Sequence, residues 1–282
     1  MSLVTRHLSP DFSFEFFPPK TPEGKAKLRA TWQQLAQLKP RFFSVTFGAG
    51  GSTQQGTLDT VLEIRATGQQ AAPHISCVAS SKAEIATTLS RYRENGIRHV
   101  VALRGDMPSG LASSGELRYA NELVTFIRET TGDWFTIEVA CYPEYHPQTR
   151  NAVDEVKNFK RKIDAGANSA ITQYFYNADA YFRFLDECAA ADIRVPIVPG
   201  IMPIGNFSQL ARFSDACGAE IPRWMRIKLE GYRDDAASIR AFGLDVVTAL
   251  CAKLLEAGAP GLHFYTLNQA ELASTIWQRL GL

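Results

Sequence analysis

Three features of the sequence predict an α/β fold of the (β/α)8 (TIM) barrel class, a single domain over residues 1–282. Eight short apolar, β-branched or aromatic runs alternate with amphipathic stretches of helical period, an alternation that requires a parallel sheet with helical crossovers. The length of 282 residues is one that a closed barrel reaches as a single unit. The first run is followed by Phe16-Phe17-Pro18-Pro19-Lys20, not by the GxGxxG turn with which a doubly wound sheet usually begins.

The eight predicted strands are Phe12–Phe16, Phe42–Thr46, His74–Val78, His99–Leu103, Thr136–Cys141, Ser169–Tyr174, Ile197–Pro199 and Leu262–Tyr265. Between them, Lys25–Leu38 carries Leu28, Trp32, Leu35 and Leu38 at helical spacing, and Thr57–Thr67 carries Leu58, Val61, Leu62 and Ile64. Ser81–Asn95 opens on a capping box, Ser81 with Glu84 three residues on, and stops at Gly96. Glu116–Thr130, Val153–Ala165, Ala178–Ala190, Phe207–Ala216 and Asp235–Glu256 continue the series, and a last helix near Gln269–Arg279 follows the final strand. Lys228 is expected in an irregular region before that strand.

Composition narrows the function classes. Thirty Lys and Arg against 29 Asp and Glu give a formal charge of +1, without the basic stripe that nucleic acid requires. The most apolar stretch, Val195–Ile204, is short and interrupted by three prolines, so no membrane span is expected. The N-terminus shows no hydrophobic signal core. The five cysteines include no CxxC pair, which suits free thiols in a reducing compartment and a cytoplasmic location. The five histidines show no HExxH or HxH spacing, so no metal site is predicted.

In such barrels chemistry sits at the C-terminal strand ends. In the first strand Phe12, Phe14 and Phe16 share one face and Ser13 and Glu15 the other. With the Phe face packed on the helices, Glu15 points into the barrel mouth. Desolvation there should raise its pKa and make it a general acid; an internal Glu ion-paired across the barrel is the alternative, and position does not decide. The second strand ends in Gly48, Gly50 and Gly51, which let backbone approach a ligand. The fourth ends in Arg104-Gly105-Asp106, where Arg104 suits a phosphate and Asp106 a heterocycle N–H, or the two pair only to fix the loop. Tyr142 and His146 lie in a proline-stiffened loop where they cover a flat ring or simply pack. Asn158–Lys162 is either a solvated basic face or, near the mouth, a diphosphate contact. Gln173, followed by aromatics, suits a heteroaromatic ligand. No Lys ends a clear strand as a Schiff base would require, and no GxSxG elbow appears.

Several strings taken together resemble methylenetetrahydrofolate reductase: FEFFPPKTPEG at Phe14–Gly24, SVTFGAGGS at Ser44–Ser52, APHISC at Ala72–Cys77, ALRGDMP at Ala102–Pro108, YPEYHP at Tyr142–Pro147, KRKIDAGANSAITQYFY at Lys160–Tyr176, PGIMPI at Pro199–Ile204 and HFYTLN at His263–Asn268. They run in order over nearly the whole chain. The resemblance implies a barrel carrying FAD that reduces 5,10-methylenetetrahydrofolate to 5-methyltetrahydrofolate with NADH or NADPH by ping-pong hydride transfer, supplying methyl groups for methionine synthesis. It also implies a homo-oligomer, and a catalytic barrel without the C-terminal regulatory domain of longer relatives. Glu15 matches the general acid that protonates N10, and Asp106 the carboxylate beside flavin and pterin. Thr46, Phe47, Ala49, His74, Arg104, Gly105, Asp106, Ala120, Tyr142, His146, Glu155, Asn158, Arg161 and Lys162 match flavin-contacting positions, with Glu155 where some relatives have Asp. Thr46, Asp106, Gln173, Gln209, Phe213 and Gln269 match the substrate groove. Gln269 stands where many relatives have Arg, and a neutral amide does not replace a guanidinium, so folate affinity or polyglutamate preference is expected to differ. The rival readings are a lyase or aldolase without flavin, using Lys228 or the glycine loop, and a barrel that has lost catalysis and binds a partner; Glu15, Asp106 and Gln173 together argue against the second.

Overall fold

The computed structural model describes residues 10–47, 54–105 and 115–282. Its strands are β1 (Asp11–Phe16), β2 (Phe42–Val45), β3 (Ala71–Ser76), β4 (His99–Leu103), β5 (Thr136–Cys141), β6 (Ser169–Thr172), β7 (Ile197–Val198), β8 (Gly200–Ile201) and β9 (Gly261–Tyr265). They alternate with helices α1 (Pro22–Ala36), α2 (Gln54–Arg65), α3 (Lys82–Glu94), α4 (Ala120–Thr131), α5 (Ala152–Asp164), α6 (Ala178–Ala190), α7 (Phe207–Cys217), α8 (Arg223–Tyr232), α9 (Ala236–Glu256) and α10 (Glu271–Arg279). The sheet order is β7-β6-β5-β4-β3-β2-β1-β9-β8, and each pairing is parallel.

The seventh expected strand is present but divided. Pro199 has no N–H to donate, so the ladder breaks there. Ile197 and Val198 pair with β6, while Gly200 and Ile201 pair with β9. The Pro199 carbonyl still accepts from His263 N at 2.9 Å, so the two halves close one eight-position barrel. Gly200 is required at this seam, because a Cβ would overlap the Thr172 carbonyl and the Tyr265 ring.

The alternation of β1 sorts its side chains as expected. Phe12 meets Trp277 of α10 with centroids 4.2 Å apart, and Phe14 stacks on Phe264 at 5.5 Å, both on the helix-facing side. Ser13 and Glu15 face the lumen. The expected capping box of α3 is formed by Ser81 and Glu84. One region departs from expectation: residues around Lys228 are helical, not irregular. Met225 and Leu229, one turn apart on α8, are buried and carry its packing, and Lys228 lies exposed. All five cysteines are free. Among the described residues, no helix is long and apolar enough to cross a membrane.

Candidate active site

The C-terminal ends of the strands open into a cavity of about 1450 Å3, larger than the several hundred Å3 that one drug-sized ligand occupies. Glu15, Thr46 and Phe47, His74, Arg104 with Gly105, and Gln173 reach it from β1, β2, β3, β4 and β6. Ala120 enters from the start of α4, Tyr142 and His146 from the loop after β5, and Glu155, Asn158, Arg161 and Lys162 from α5. Phe213 of α7 closes the far side. Gln209 and Gln269 do not line it: Gln209 sits one turn before Phe213, and Gln269 is exposed in the turn after β9, its backbone N–H donating to the Thr266 carbonyl at 3.0 Å. Ala49 and Asp106 lie outside the described residues.

Glu15 sits at the floor of this cavity with its side chain 19% exposed. Its Oε2 is 3.4 Å from His74 Nε2 and 3.6 Å from His263 Nε2. His263 is fully buried, and its Nδ1 lies 2.7 Å from Ser13 Oγ. If that hydroxyl donates, the Nε2 proton faces Glu15. The expectation of a raised Glu15 pKa is therefore corrected. Burial raises it, but the His263 side chain and the positive potential of His74 and His263 lower it by more. His74 goes the other way, its pKa pushed down by burial despite the nearby Glu15 carboxylate. Glu15 is thus a carboxyl flanked by two imidazoles at 3.4 and 3.6 Å, not one isolated in an apolar pocket.

His263 is the site residue that motif reading does not single out. Its signal is alternation: His263 and Tyr265 occupy the inward positions of β9, opposite the outward Phe264. Tyr265 lines the cavity and donates from its hydroxyl to the Thr172 carbonyl at 2.7 Å.

The cationic wall is built by α5. Lys162 Nζ donates to the Ala140 carbonyl at 2.7 Å and lies 5.7 Å from the Tyr142 ring centroid. Burial pulls its pKa down, with Glu155 opposing. Arg104 Nη1 donates to Gln148 at 2.6 Å. Glu155 is almost completely buried and holds the loop above it, accepting from His146 N at 3.1 Å and Thr149 Oγ1 at 2.6 Å. Tyr142 and His146 meet edge to face at 4.8 Å. Gly105 has φ +86 and a Cβ there would collide with Ser76 Oγ, so the backbone at the β4 exit comes against the cavity only as glycine. Two guanidinium groups, one ammonium and a tyrosine ring along one wall suit a ligand with a diphosphate and a flat ring.

The family model described as methylenetetrahydrofolate reductase matches residues 3–281. The 5,10-methylenetetrahydrofolate reductase of Escherichia coli strain K12 is 43% identical over 271 residues, covering 96% of this chain and 90% of that protein. Methylenetetrahydrofolate reductase (NADH) 1 of Arabidopsis thaliana is 38% identical over 99% of this chain but 50% of its own length. Among solved structures, a Clostridium thermocellum protein described as binding two copies of 5-methyl-5,6,7,8-tetrahydrofolic acid superposes with a TM-score of 0.66 at 17% identity, covering 97% of this chain and 95% of that one. From the match across nearly its whole length, this chain belongs to the methylenetetrahydrofolate reductase family.

Proposed function

We propose that the whole barrel is one FAD-binding catalytic domain that reduces 5,10-methylenetetrahydrofolate to 5-methyltetrahydrofolate with NADH or NADPH in two successive half-reactions at one cavity. The product's methyl group would serve methionine synthesis, and the chain would act as a cytoplasmic homo-oligomer. The observation that carries the reading is the Glu15 carboxyl at the floor of a cavity walled by Arg104, Arg161, Lys162 and Tyr142. The residues present fit the flavin: cations for its diphosphate, an aromatic face, and a backbone approach at Gly105. A bound flavin would supply hydride transfer from the nicotinamide to the one-carbon unit.

The chain's own groups do the rest. Opening the methylene bridge requires a proton on N10 of the folate, and Glu15 stands where it would deliver one. A ring system across the mouth would expel water and add to the desolvation of Glu15, which favours its protonated form. Gln173 offers an amide to the edge of the pterin, and Phe213 a face on which a ring stacks. Gln209 and Gln269 would meet the outer part of the folate. Asp106, with its negative charge, would favour a cationic iminium.

The test is anaerobic. Purified protein should take up FAD, lose the oxidised flavin spectrum on addition of NADH or NADPH, and regain it on addition of methylenetetrahydrofolate with formation of 5-methyltetrahydrofolate. Protein that takes up no FAD, or whose reduced flavin is not reoxidised by the folate, overturns the proposal.

A further inference from the structure

Glu15 stands on the last rung that joins β1 to β9, where it pairs with Tyr265. One residue later β1 ends, and Phe17 is followed by Pro18 and Pro19, neither of which has an N–H to donate. On the other side β9 stops at Tyr265, and Leu267 and Asn268 both take positive φ, 51° and 58°. The two chains therefore leave the sheet together, directly beside the carboxyl to which the proposed chemistry assigns a proton. That carboxyl is held only loosely by its side-chain neighbours, since His74 and His263 lie at 3.4 and 3.6 Å, both longer than an ordinary hydrogen bond. Its place depends on its backbone.

Side chains take over where the ladder stops. Asn268 Oδ1 accepts from Phe17 N at 3.0 Å, and Asn268 Nδ2 donates to the Phe17 carbonyl at 2.9 Å. A primary amide offers a donor and an acceptor side by side, as a strand residue does, so this carboxamide stands in for the missing rung. Thr266 Oγ1 donates to the Glu15 carbonyl at 2.6 Å and accepts from Asn268 N at 3.2 Å. The Asn268 carbonyl faces the Thr31 hydroxyl of α1 at 3.2 Å. All four polar groups of Asn268 are engaged, three of them on Phe17 or on the hydroxyl that holds Glu15. Asn enters the left-handed region at low cost, whereas Leu does not, and such backbone persists only where its surroundings hold it. Glu15, Phe17, Thr266 and Leu267 line the cavity, and Asn268 stands behind them.

We propose that Asn268 is a positioning residue for the reduction: its carboxamide, with the Thr266 hydroxyl, fixes the exit of β1 and so keeps the Glu15 carboxyl where N10 of the folate would meet it. The inference rests on the acid role proposed for Glu15. A proton donor must stay within hydrogen-bond reach of its acceptor, and a displacement of about 1 Å costs up to about 10²-fold in rate. The clamp acts on the two backbone groups of Phe17 and the carbonyl of Glu15, the atoms that set the direction in which the Glu15 side chain leaves the strand.

The test uses the FAD-loaded enzyme and Asn268→Gly, which keeps the left-handed backbone and removes the carboxamide. Reoxidation of the reduced flavin by methylenetetrahydrofolate should slow about tenfold, while flavin reduction by NADH changes less than about twofold. In a Glu15→Gln background the same substitution should change reoxidation less than about twofold, because the group it positions is gone. Independently of turnover, amide exchange at Glu15 and Phe17 should quicken in Asn268→Gly and stay unchanged at Phe43. Unchanged reoxidation, unchanged exchange at Glu15, an equal loss in both half-reactions, or a loss that persists in Glu15→Gln each overturns the inference. If Asn268→Gly fails to fold, Thr266→Val should show the same selective loss and Thr266→Ser should restore the wild-type rate; a Val variant at the wild-type rate, or a Ser variant no better than Val, also overturns it. A Glu15→Gln enzyme that loses both half-reactions equally, or a wild type that reduces no folate, would instead remove the acid role itself, and the inference with it.

Discussion

Glu144 lies in the loop that carries Tyr142 and His146, and its replacement by Gln should stabilise the protein only on the alkaline side. Its Oε2 accepts from the Glu220 amide at 2.8 Å, fastening that loop to the turn between α7 and α8, while Oε1 is buried with no protein partner. Burial raises the pKa most; the Glu220 hydrogen bond lowers it, the Glu220 charge raises it and Arg183 lowers it, leaving it pushed up to about 7 from an ordinary 4.5. That difference corresponds to about 3 kcal/mol between the two protonation states. Because Glu144 is only half-buried, solvent screening reduces this to about 1.5 kcal/mol. The folded value is the higher one, so the contribution is fully present below 4.5 and is lost as pH rises through 7. A Gln keeps the acceptor for Glu220 and never ionises. Glu144→Gln should therefore match wild type at pH 4.5 and exceed it by about 1.5 kcal/mol at pH 8.5, about 3 °C in Tm for a chain of this size. Urea unfolding and thermal melts at both pH values measure it. A difference that is the same at both, or that favours wild type at pH 8.5, refutes the electrostatic reasoning.

Three other perturbations address the cavity. Glu15→Gln should slow reoxidation of the reduced flavin by methylenetetrahydrofolate by about 10²-fold or more while flavin reduction by NADH changes less than about twofold; equal losses in stopped-flow traces of the two half-reactions would remove Glu15 as proton donor. Lys162→Met should weaken FAD binding by about 10- to 100-fold through loss of a charge-assisted contact, read by quenching of flavin fluorescence, and an unchanged affinity would place the diphosphate elsewhere. Gln269→Arg should lower KM for polyglutamylated folate by about tenfold and leave kcat unchanged; a KM that does not move would separate this position from the substrate.

Much of the fold is legible because its signals are local. Alternation in Phe12–Phe16 already turns Glu15 inward, and Ser81 with Glu84 fixes the start of α3. The strand expected at Ile197–Pro199 instead stops before Pro199 and resumes at Gly200–Ile201, because pairing switches from β6 to β9 there and that switch depends on barrel closure. The helix at Arg223–Tyr232 is harder: it is ten residues long and buries only Met225 and Leu229, with Trp224 and Tyr232 set against Phe242 of α9. The site divides along the same line. Arg104 and Tyr142 stand just past strand ends, and Asn158 and Lys162 on the middle and last turn of α5, so their place at the cavity follows from local pattern. The ionisation of Glu15 does not, because it depends on His74 and His263, which only barrel closure brings beside it. A residue's burial can be guessed from its strand. Its counter-charges come from strands whose pairing no short window records.

The closing strand has a consequence for traffic. β7 and β8 are two residues each, joined through a residue that donates nothing. A ring fastened all round by longer staves should gape first at its shortest one. That stave borders Gln173, Met202 and Tyr265 on the cavity rim. If two reactants take turns over one flat partner, as proposed above, the wall with the fewest rungs borders the space they would share. Amide exchange should be faster at Ile201 and His263 than at Phe14 and Phe43; the reverse order would make the seam as rigid as the rest.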